Sequence, residues 1–594
     1  MNKYNLQEEC MNLFHSSIIN NDKVTYSSDL KQLASTKLRF EGSQQPGIPI
    51  NWRFAESISV LKAFEGLSIL DLVQKKYNTT IDNITINTDH AQLFIMTTFT
   101  NELVVTSPTI NIENKNSNKP EQVEEKEEHF GLPNPAYHRL YNQLFKNQDF
   151  FKKHLPYNFC SCAIYKTKDD KLYHLYGSFQ PQIIQKALDM RLADYDESLT
   201  KLSFDQATSL YQEKCLQYTA EELDTLSNDQ HGEAGSICFS TEEFKQTEQY
   251  KATQHVDLFE THFIDDGTPA QWWIDDDNAN ADVKRPLKGL KVLDITRVIA
   301  APVVTRTLAE YGASVLRITS PKLPDVSGVL ADTNYGKWNT ELDFHDEKDR
   351  KKLLSLMQEA DVIVEGYRPY HLDKYGLGKE NILKMAKERG KGVIYVRENT
   401  YGWYGPWQGR IGWQPISDAC CGVSTKFAEA LALATVSLVF PNSDYCTGTA
   451  GATAVIQALI DRSTKGGSYV IDSAINYYSM WLVDQVGTYD NDLWLELWKQ
   501  KGKPELRYFH NMIGSVAQYS ALLKQHSPQL WNPDFFEKRD ILNGDQHNVK
   551  LYTIKPVVRF SNDQVTPGFD IPTRTNGTDA PLWPKDLNTK QINA

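Results

Sequence analysis

Apolar residues follow two different periods along this chain, and the cleaner pattern lies in its second half. Lys291-Val-Leu-Asp-Ile295 reads as a strand. Residues 301–310 read as a helix, because Val304, Leu308 and Tyr311 fall at i, i+4 and i+7 on one face, and Gly312 is the expected stop. Ser314-Val-Leu-Arg-Ile318 reads as the next strand. A strand, a helix and a strand in quick succession make a βαβ unit, whose two strands are parallel. The alternation continues with a helix over 346–359 striped by Leu353, Leu354 and Met357, then the strand Asp361-Val-Ile-Val-Glu365. A helix over 380–389, the strand Gly392-Val-Ile-Tyr-Val396, a small-residue helix over 446–460 and the strand Ser468-Tyr-Val-Ile471 follow. The pattern predicts an α/β fold: a doubly wound, Rossmann-like parallel sheet whose ligands sit beyond the carboxyl ends of its strands.

The first half is less regular. A helix is expected over 53–73 and a strand over 83–87. Residues 163–177 read as a hairpin turning on Lys168-Asp-Asp-Lys171. A helix over 220–227 opens with Thr219 as its cap and Glu221 and Glu222 in its first turn. Residues 111–128 carry no apolar period and read as a charged linker; a second break lies near 265–286.

At about 100–200 residues per domain, 594 residues predict about three or four compact units. A net charge of -13 argues against non-specific nucleic-acid binding, which needs a basic face. The longest apolar candidate, 430–440, is too short to span a membrane. Residues 1–20 do not read as a secretory or transit signal, nor the last residues as a peroxisomal address, so a cytoplasmic protein is expected. Among eight cysteines, Cys160 and Cys162 are two apart and Cys420 and Cys421 adjacent, with no Cys-x-x-Cys pair. Reduced, buried thiols and no metal site are expected.

Two segments carry candidate chemistry. In Arg297-Val-Ile-Ala-Ala-Pro302, a strand gives way to a helix whose first N–H groups are free to meet a ligand, with the small Ala300 and Ala301 allowing approach. A tight turn with no ligand fits equally well. Phe440-Pro-Asn-Ser-Asp444 leads into a helix rich in Ala, Gly and Thr. Asp444 at that helix start is either a plain cap or an ionised nucleophile with Gly448 and Gly451 leaving room around it.

A set of segments resembles the class III CoA-transferase (CaiB/BaiF) family. It opens with 286–296, Ala301-Pro302 and 308–318, and runs through Leu342-Asp343, 360–369 and Tyr375-Gly-Leu-Gly378. It ends with 412–422, Asp444 and 460–472, so it covers about a third of the chain. The resemblance implies a CoA-transferase in which Asp444 attacks an acyl-CoA thioester, giving an aspartyl anhydride before exchange with a carboxylic acid. It implies coenzyme A as a substrate, with no tightly bound cofactor. Arg297, Ala300, Ala301, Arg317, Lys322, Gly366, Lys374 and Gln414 are the residues suggested for binding, with Arg317 and Lys322 preferred for the adenosine end; for any one of the charged residues, plain solvated surface charge is the alternative. The family's racemases use a His-Asp pair near Trp413 and Gln414, where this chain has neither. An acyl-CoA racemase or epimerase, or a non-catalytic acyl-CoA-binding descendant, is the alternative. Gly366 stands near a position where the family often has Asn, and a later glycine-rich loop is missing.

The hairpin at 162–177 and the segments 218–223 and 240–244 are similar to the family's small α+β domain. The resemblance therefore suggests an unevenly decayed tandem duplication folding as a pseudo-dimer within one chain, or a homodimer; a conventional two-domain protein with an unrelated N-terminal half is the alternative. Its parts would be a large-domain remnant (1–110), the linker (111–128), a small domain (129–264), the large domain with Asp444 (283–490) and a returning tail (491–594).

Overall fold

The computed structural model describes all residues except 1–3, 25–26, 110–123, 133, 150–151, 153, 178, 274–281, 545–547 and 594. Its largest sheet has seven strands. Their order is Lys337–Glu341, Ser314–Thr319, Lys291–Ile295, Val362–Glu365, Ile394–Asn399, Ser468–Ala474 and Phe259–Ile264. The first six run parallel; Phe259–Ile264 closes the edge antiparallel to Ser468–Ala474. The predicted helices appear as Ala300–Glu310, Glu347–Glu359, Lys379–Glu388 and Asn442–Lys465. Asp346 caps the second of these through the Lys348 and Asp349 amides.

Two strands of this sheet have unexpected origins. Phe259–Ile264 falls in the segment assigned to the small domain, yet pairs with the main sheet. Lys337–Glu341 carries Lys and Asn but is buried, because its polar side chains find buried partners. Lys337 Nζ lies 2.8 Å from Asp294 Oδ2, and both side chains are wholly inaccessible to solvent. Asn339 donates to Asn576 at 3.0 Å.

Three smaller sheets tie distant parts of the chain together. Leu38–Glu41 and Ile84–Asn87 pair in parallel, and Val558–Phe560 joins them antiparallel. Glu102–Thr109 pairs with Val549–Ile554 and with Glu124–Gly131. The third sheet holds the predicted hairpin, Cys162–Lys166 with Leu172–Tyr176, and Ala234–Ile237.

Glu124–Gly131 corrects the reading of 111–128 as one linker; residues 111–123 lie outside the described part. The strand forms despite its charge because its neighbours neutralise it. His129 Nδ1 is 2.9 Å from Glu102, and Lys538 pairs with Glu127. Charged side chains on an edge strand also discourage pairing with further chains.

Helix Phe54–Tyr77 is buried on every face over most of its length. A helix so enclosed must satisfy its charges internally. Lys62 Nζ reaches Glu65 at 2.8 Å, and Tyr311 donates to the same carboxylate at 2.7 Å. This helix packs against Asn442–Lys465, which also crosses Ala300–Glu310. That second crossing explains two glycines. A Cβ on Gly448 would stand 2.5 Å from Val303 Cβ, and one on Gly451 3.0 Å from Val304 Cγ2. Gly448 and Gly451 therefore allow close helix packing rather than open space beside Asp444.

Candidate active site

Asp444 sits in the first turn of helix Asn442–Lys465, two residues inside the helix rather than at its cap, since the helix begins earlier than its apolar period indicates. It is half-buried, and among the described residues no hydrogen bond forms to its carboxyl. Burial first, and then the charge of Asp418, push its pKa well above the ordinary carboxylate range. The helix start does not by itself hold Asp444 ionised; burial and the neighbouring Asp418 outweigh it.

Asp418 lies in helix Gln414–Cys420 and has no solvent exposure. Ser443 Oγ bonds its Oδ1 at 2.7 Å, and the Gln414 side-chain amide bonds its Oδ2. Burial pushes its pKa to about 7. A third carboxyl, Glu398, stands at the end of strand Ile394–Asn399, with its Oε1 buried and unbonded. Burial and then the Asp444 charge raise it well above the ordinary range. The sequence reading missed Asp418 and Glu398. Glu398 had one signal, its place just past a predicted parallel strand; Asp418 had only its position one helical turn after Gln414.

The hairpin sheet and the residues after it bring aromatic side chains near Asp444 and Trp413. Burial, then Cys162, then Asp444 raise the pKa of Tyr176. Tyr176 and Trp413 have ring centroids 6.3 Å apart, and Phe179 meets Trp413 edge-on at 5.3 Å. The Arg297 guanidinium carbon lies 4.2 Å above the Phe179 ring and 5.7 Å from that of Tyr367. Arg297 forms no ion pair among the described residues, and its Nε is buried without a partner. Next to it, Val298 takes a φ of 72°, which a β-branched residue rarely adopts and which packing must enforce.

The other residues suggested for binding fare differently. Ala300 and Ala301 open helix Ala300–Glu310 and are buried. The Ala301 methyl is already in use, because a Cβ on Gly366 would stand 2.6 Å from it. Gly366 is thus glycine because helix and strand end touch there. Arg317 does not fit its suggested role. It is fully buried and bonds Asn334 at 2.7 Å, Asp325 at 3.1 Å and the Thr296 carbonyl at 3.2 Å. A strand residue facing the interior must be neutralised within the fold, which leaves no donor set turned to a phosphate. Lys322 is exposed and pairs with Asp343. Lys374 is exposed beside the Tyr375 ring. Gln414 joins the carboxyl cluster, with its Oε1 buried and unbonded. His90 and His174 are buried, and burial lowers both to about 3, so both are neutral.

Among the described residues, Glu260, His262 and Asp472 bring three donor atoms together. Arg397 already spans both oxygens of Asp472, at 2.5 and 2.8 Å, so that carboxylate has its cation. No helix of the described residues is long and apolar enough to cross a membrane.

Residues 287–505 match CoA-transferase family III. An acetyl-coenzyme A transferase (nodX) of Hypoxylon pulicicidum is 40% identical over 557 residues, which cover 93% of this chain and 89% of that protein. An acyl-CoA transferase of Gibberella moniliformis is 28% identical over 557 residues, covering 90% of this chain and 89% of that one. A CaiB/BaiF family protein from Brucella suis of known structure is 29% identical, with a TM-score of 0.30, over 33% of this chain and 55% of its own. An identity of 40% spread over nearly the whole of both proteins settles the relationship: this chain belongs to CoA-transferase family III.

Proposed function

We propose that this enzyme moves CoA between an acyl-CoA thioester and a carboxylic acid through a covalent anhydride on Asp444. One observation carries this reading: a half-buried carboxyl without hydrogen bonds among the described residues stands in the first turn of a 24-residue helix, close enough to Tyr176 for its charge to be felt there. Such a group is free to attack. Asp444 Oδ forms a bond to the thioester carbonyl carbon, the C–S bond breaks, and CoA leaves as thiolate. The thiolate attacks the aspartyl carbonyl carbon and releases the first acid as its carboxylate, leaving an aspartyl-CoA thioester; the acceptor carboxylate displaces the thiolate from it to give a second anhydride, and the thiolate attacks the acceptor's carbonyl carbon, forming the new acyl-CoA and freeing Asp444.

The Arg297 guanidinium, without an ion pair and held on Phe179, suits a CoA phosphate, with the exposed Lys322 and Lys374 as outlying charges. The strand order of the main sheet supports a doubly wound arrangement, whose ligands lie beyond the strand ends where Arg297 and Glu398 stand. The pseudo-dimer reading gains support from Tyr176, on which the charge of Asp444 acts, and from Phe179, which packs on Trp413 and Arg297 of the second half. In this reading 1–110 is the remnant of one large domain, 129–264 the small domain apart from its strand Phe259–Ile264, and 491–594 a tail returning to the large domain that holds Asp444.

The test is intact-protein mass spectrometry after incubation with acyl-CoAs and hydroxylamine, which converts an aspartyl anhydride or thioester to a hydroxamate. The expected mass gain maps to Asp444 and vanishes in Asp444→Ala. No adduct despite demonstrable CoA binding would overturn the nucleophile assignment.

A further inference from the structure

The small sheet near the start of the chain repeats part of the large one. In the large sheet, Ile394–Asn399 and Ser468–Ala474 run parallel, and helix Asn442–Lys465 leads from one into the other. Phe259–Ile264, from an earlier part of the chain, closes the edge antiparallel to Ser468–Ala474. In the small sheet, Leu38–Glu41 and Ile84–Asn87 run parallel, and helix Phe54–Tyr77 lies between them. Val558–Phe560, from a distant part of the chain, closes that edge antiparallel to Ile84–Asn87. Each sheet thus takes its closing strand from a segment that follows the other. Both crossover helices are 24 residues long, and each strand after them passes directly into a further helix, Ile475–Trp481 or Thr88–Phe94.

The two long helices pack together, and their first turns meet on one hydroxyl. Ser57 Oγ lies 3.0 Å and Asn442 Nδ2 2.7 Å from the Tyr478 oxygen. Like elements meeting side by side are what a two-fold axis produces. Counted from the start of its helix, Glu56 is the third residue, as Asp444 is of its own, and each is the acidic residue of its first turn.

The surroundings of the two carboxyls differ. Asp444 is half-buried and has no hydrogen bond among the described residues. Glu56 has no solvent exposure, and both of its oxygens are taken. Arg53 Nε lies 3.0 Å from Oε1, to which Tyr4 also donates, and Tyr489 donates to Oε2 at 2.8 Å. Arg53 in turn pairs with Glu9 at 2.8 Å. The approach to Glu56 is reduced as well. Ahead of Asn442–Lys465, helices Gln414–Cys420 and Val423–Glu429 bring Gln414 and Asp418 to Ser443. Ahead of Phe54–Tyr77 only residues 42–53 intervene, without a helix. There Asn51 accepts from the Tyr489 amide at 2.8 Å and Trp52 bridges to Thr488, so the side from which a thioester would come is filled.

We infer that Glu56 holds in the first unit the place that Asp444 holds in the second, that this twin site is closed to acyl-CoA, and that Glu56 serves instead to anchor the N-terminal segment and residues 487–489 against the helix pair. The chain has one working site. The inference deepens the pseudo-dimer reading and rests on it, with Asp444 as the nucleophile for comparison. A nucleophilic carboxylate needs a free oxygen and room for its electrophile, and Glu56 has neither, whereas an ion-paired, fully bonded carboxylate suits an anchor.

Equilibrium dialysis with coenzyme A, and peptide mapping after treatment with acyl-CoAs and hydroxylamine, test this on the full chain, on Glu56→Gln and on the milder Tyr489→Phe. A single equivalent of coenzyme A per chain is expected, with label on Asp444 and none on Glu56. Both variants should keep kcat/KM within about twofold of the wild type, per folded chain, and lose several degrees of thermal midpoint. If Glu56→Gln does not fold, Tyr489→Phe, which removes one donor, carries the comparison. Two equivalents of coenzyme A per chain, label on Glu56, or a fall in kcat/KM of about tenfold or more would overturn the closed site. An unchanged thermal midpoint in both variants would overturn the anchor. If no label appears on Asp444, the nucleophile reading fails, while the dialysis still decides how many sites the chain has.

Discussion

Arg297 and Phe179 are 118 positions apart in the chain, yet the guanidinium carbon stands 4.2 Å above the ring centre. This contact joins the first strand-to-helix turn of the large sheet to the segment after the hairpin. It holds a planar cation in place without neutralising it, which an ion pair would do. A cation–π contact contributes about 0.5–2 kcal/mol. Arg297→Ala is expected to raise KM for the CoA thioester about tenfold, with a smaller effect on kcat, and to weaken the salt dependence of KM. Arg297→Lys keeps the charge but loses the planar stack, so it should recover only part of the loss. Steady-state kinetics at two ionic strengths check this; an unchanged KM would remove Arg297 from the site.

Gly366 offers a test of packing against chemistry. The family resemblance suggested Asn near this position, yet a Cβ there would lie 2.6 Å from the Ala301 methyl. Gly366→Asn should therefore lower the thermal midpoint, by a cost of about 1–3 kcal/mol for overpacking. Pairing it with Ala301→Gly removes the opposing methyl and should recover most of the loss. If the double variant is no more stable than the single one, the contact with Ala301 is not the reason for the glycine.

Asp294 and Lys337 form a wholly buried pair, and Asp294 also accepts from Thr296 at 2.5 Å and Thr305 at 2.6 Å. Burial pushes its pKa up, but Lys337 and then Arg317 outweigh that, and the net shift is downward. A carboxylate with a depressed folded value stabilises the fold above its unfolded pKa near 3.9, and that contribution fades as pH falls below it. Lys337→Met is expected to destabilise by about 3–5 kcal/mol, because it strands a buried charge. Asp294→Asn combined with Lys337→Met should recover much of that. Thermal unfolding from about pH 5 down to about pH 3 should show a steeper loss in the wild type than in the double variant.

His262 has the opposite sign. Its hydrogen bond to Asp472, at 3.2 Å, is the main cause of a raised pKa, opposed by burial and helped by the charges of Asp472 and Glu260. The stability it adds is fully present below the unfolded value near 6.5 and is lost as pH rises through the higher folded value. A side chain 35% exposed is well screened, so the effect should be modest. His262→Gln is expected to flatten the change in thermal midpoint across neutral pH, without altering it at clearly alkaline pH. A curve identical to the wild type would mean that the imidazole carries no charge in this setting.

Much of the main sheet was legible because buried parallel strands are short apolar runs and the helices between them keep a 3.6-residue period. Lys337–Glu341 and Glu124–Gly131 were not, because their polar side chains are satisfied by partners far away in sequence, such as Asp294, Asn576, Glu102 and Lys538. No periodicity encodes such pairings. The site divides in the same way. Asp444 emerged from the order of the family-like segments. Asp418, Glu398 and the pair Tyr176 and Phe179 come from three separate stretches of chain, and only the folded topology brings them together. Arg317 misled because an arginine at a strand end looks free in sequence, whereas its carboxylate partner Asp325 lies in the following loop.

The interleaving of the two ends makes the last prediction strict. Residues 280–594 expressed alone would lose Ile84–Asn87, the partner of Val558–Phe560, and Glu102–Thr109, the partner of Val549–Ile554. They would also lose helix Phe54–Tyr77, which covers Asn442–Lys465, and the antiparallel edge strand Phe259–Ile264. Each loss exposes unpaired strand edges or apolar surface, and such surfaces drive aggregation. Tyr176 and Phe179 would leave the surroundings of Asp444 and Trp413 as well. The fragment is expected to be insoluble or inactive, and co-expression with residues 1–279 should restore at least part of the activity. A monodisperse, active 280–594 fragment would show that the first half is an independent unit and that the pseudo-dimer reading is wrong.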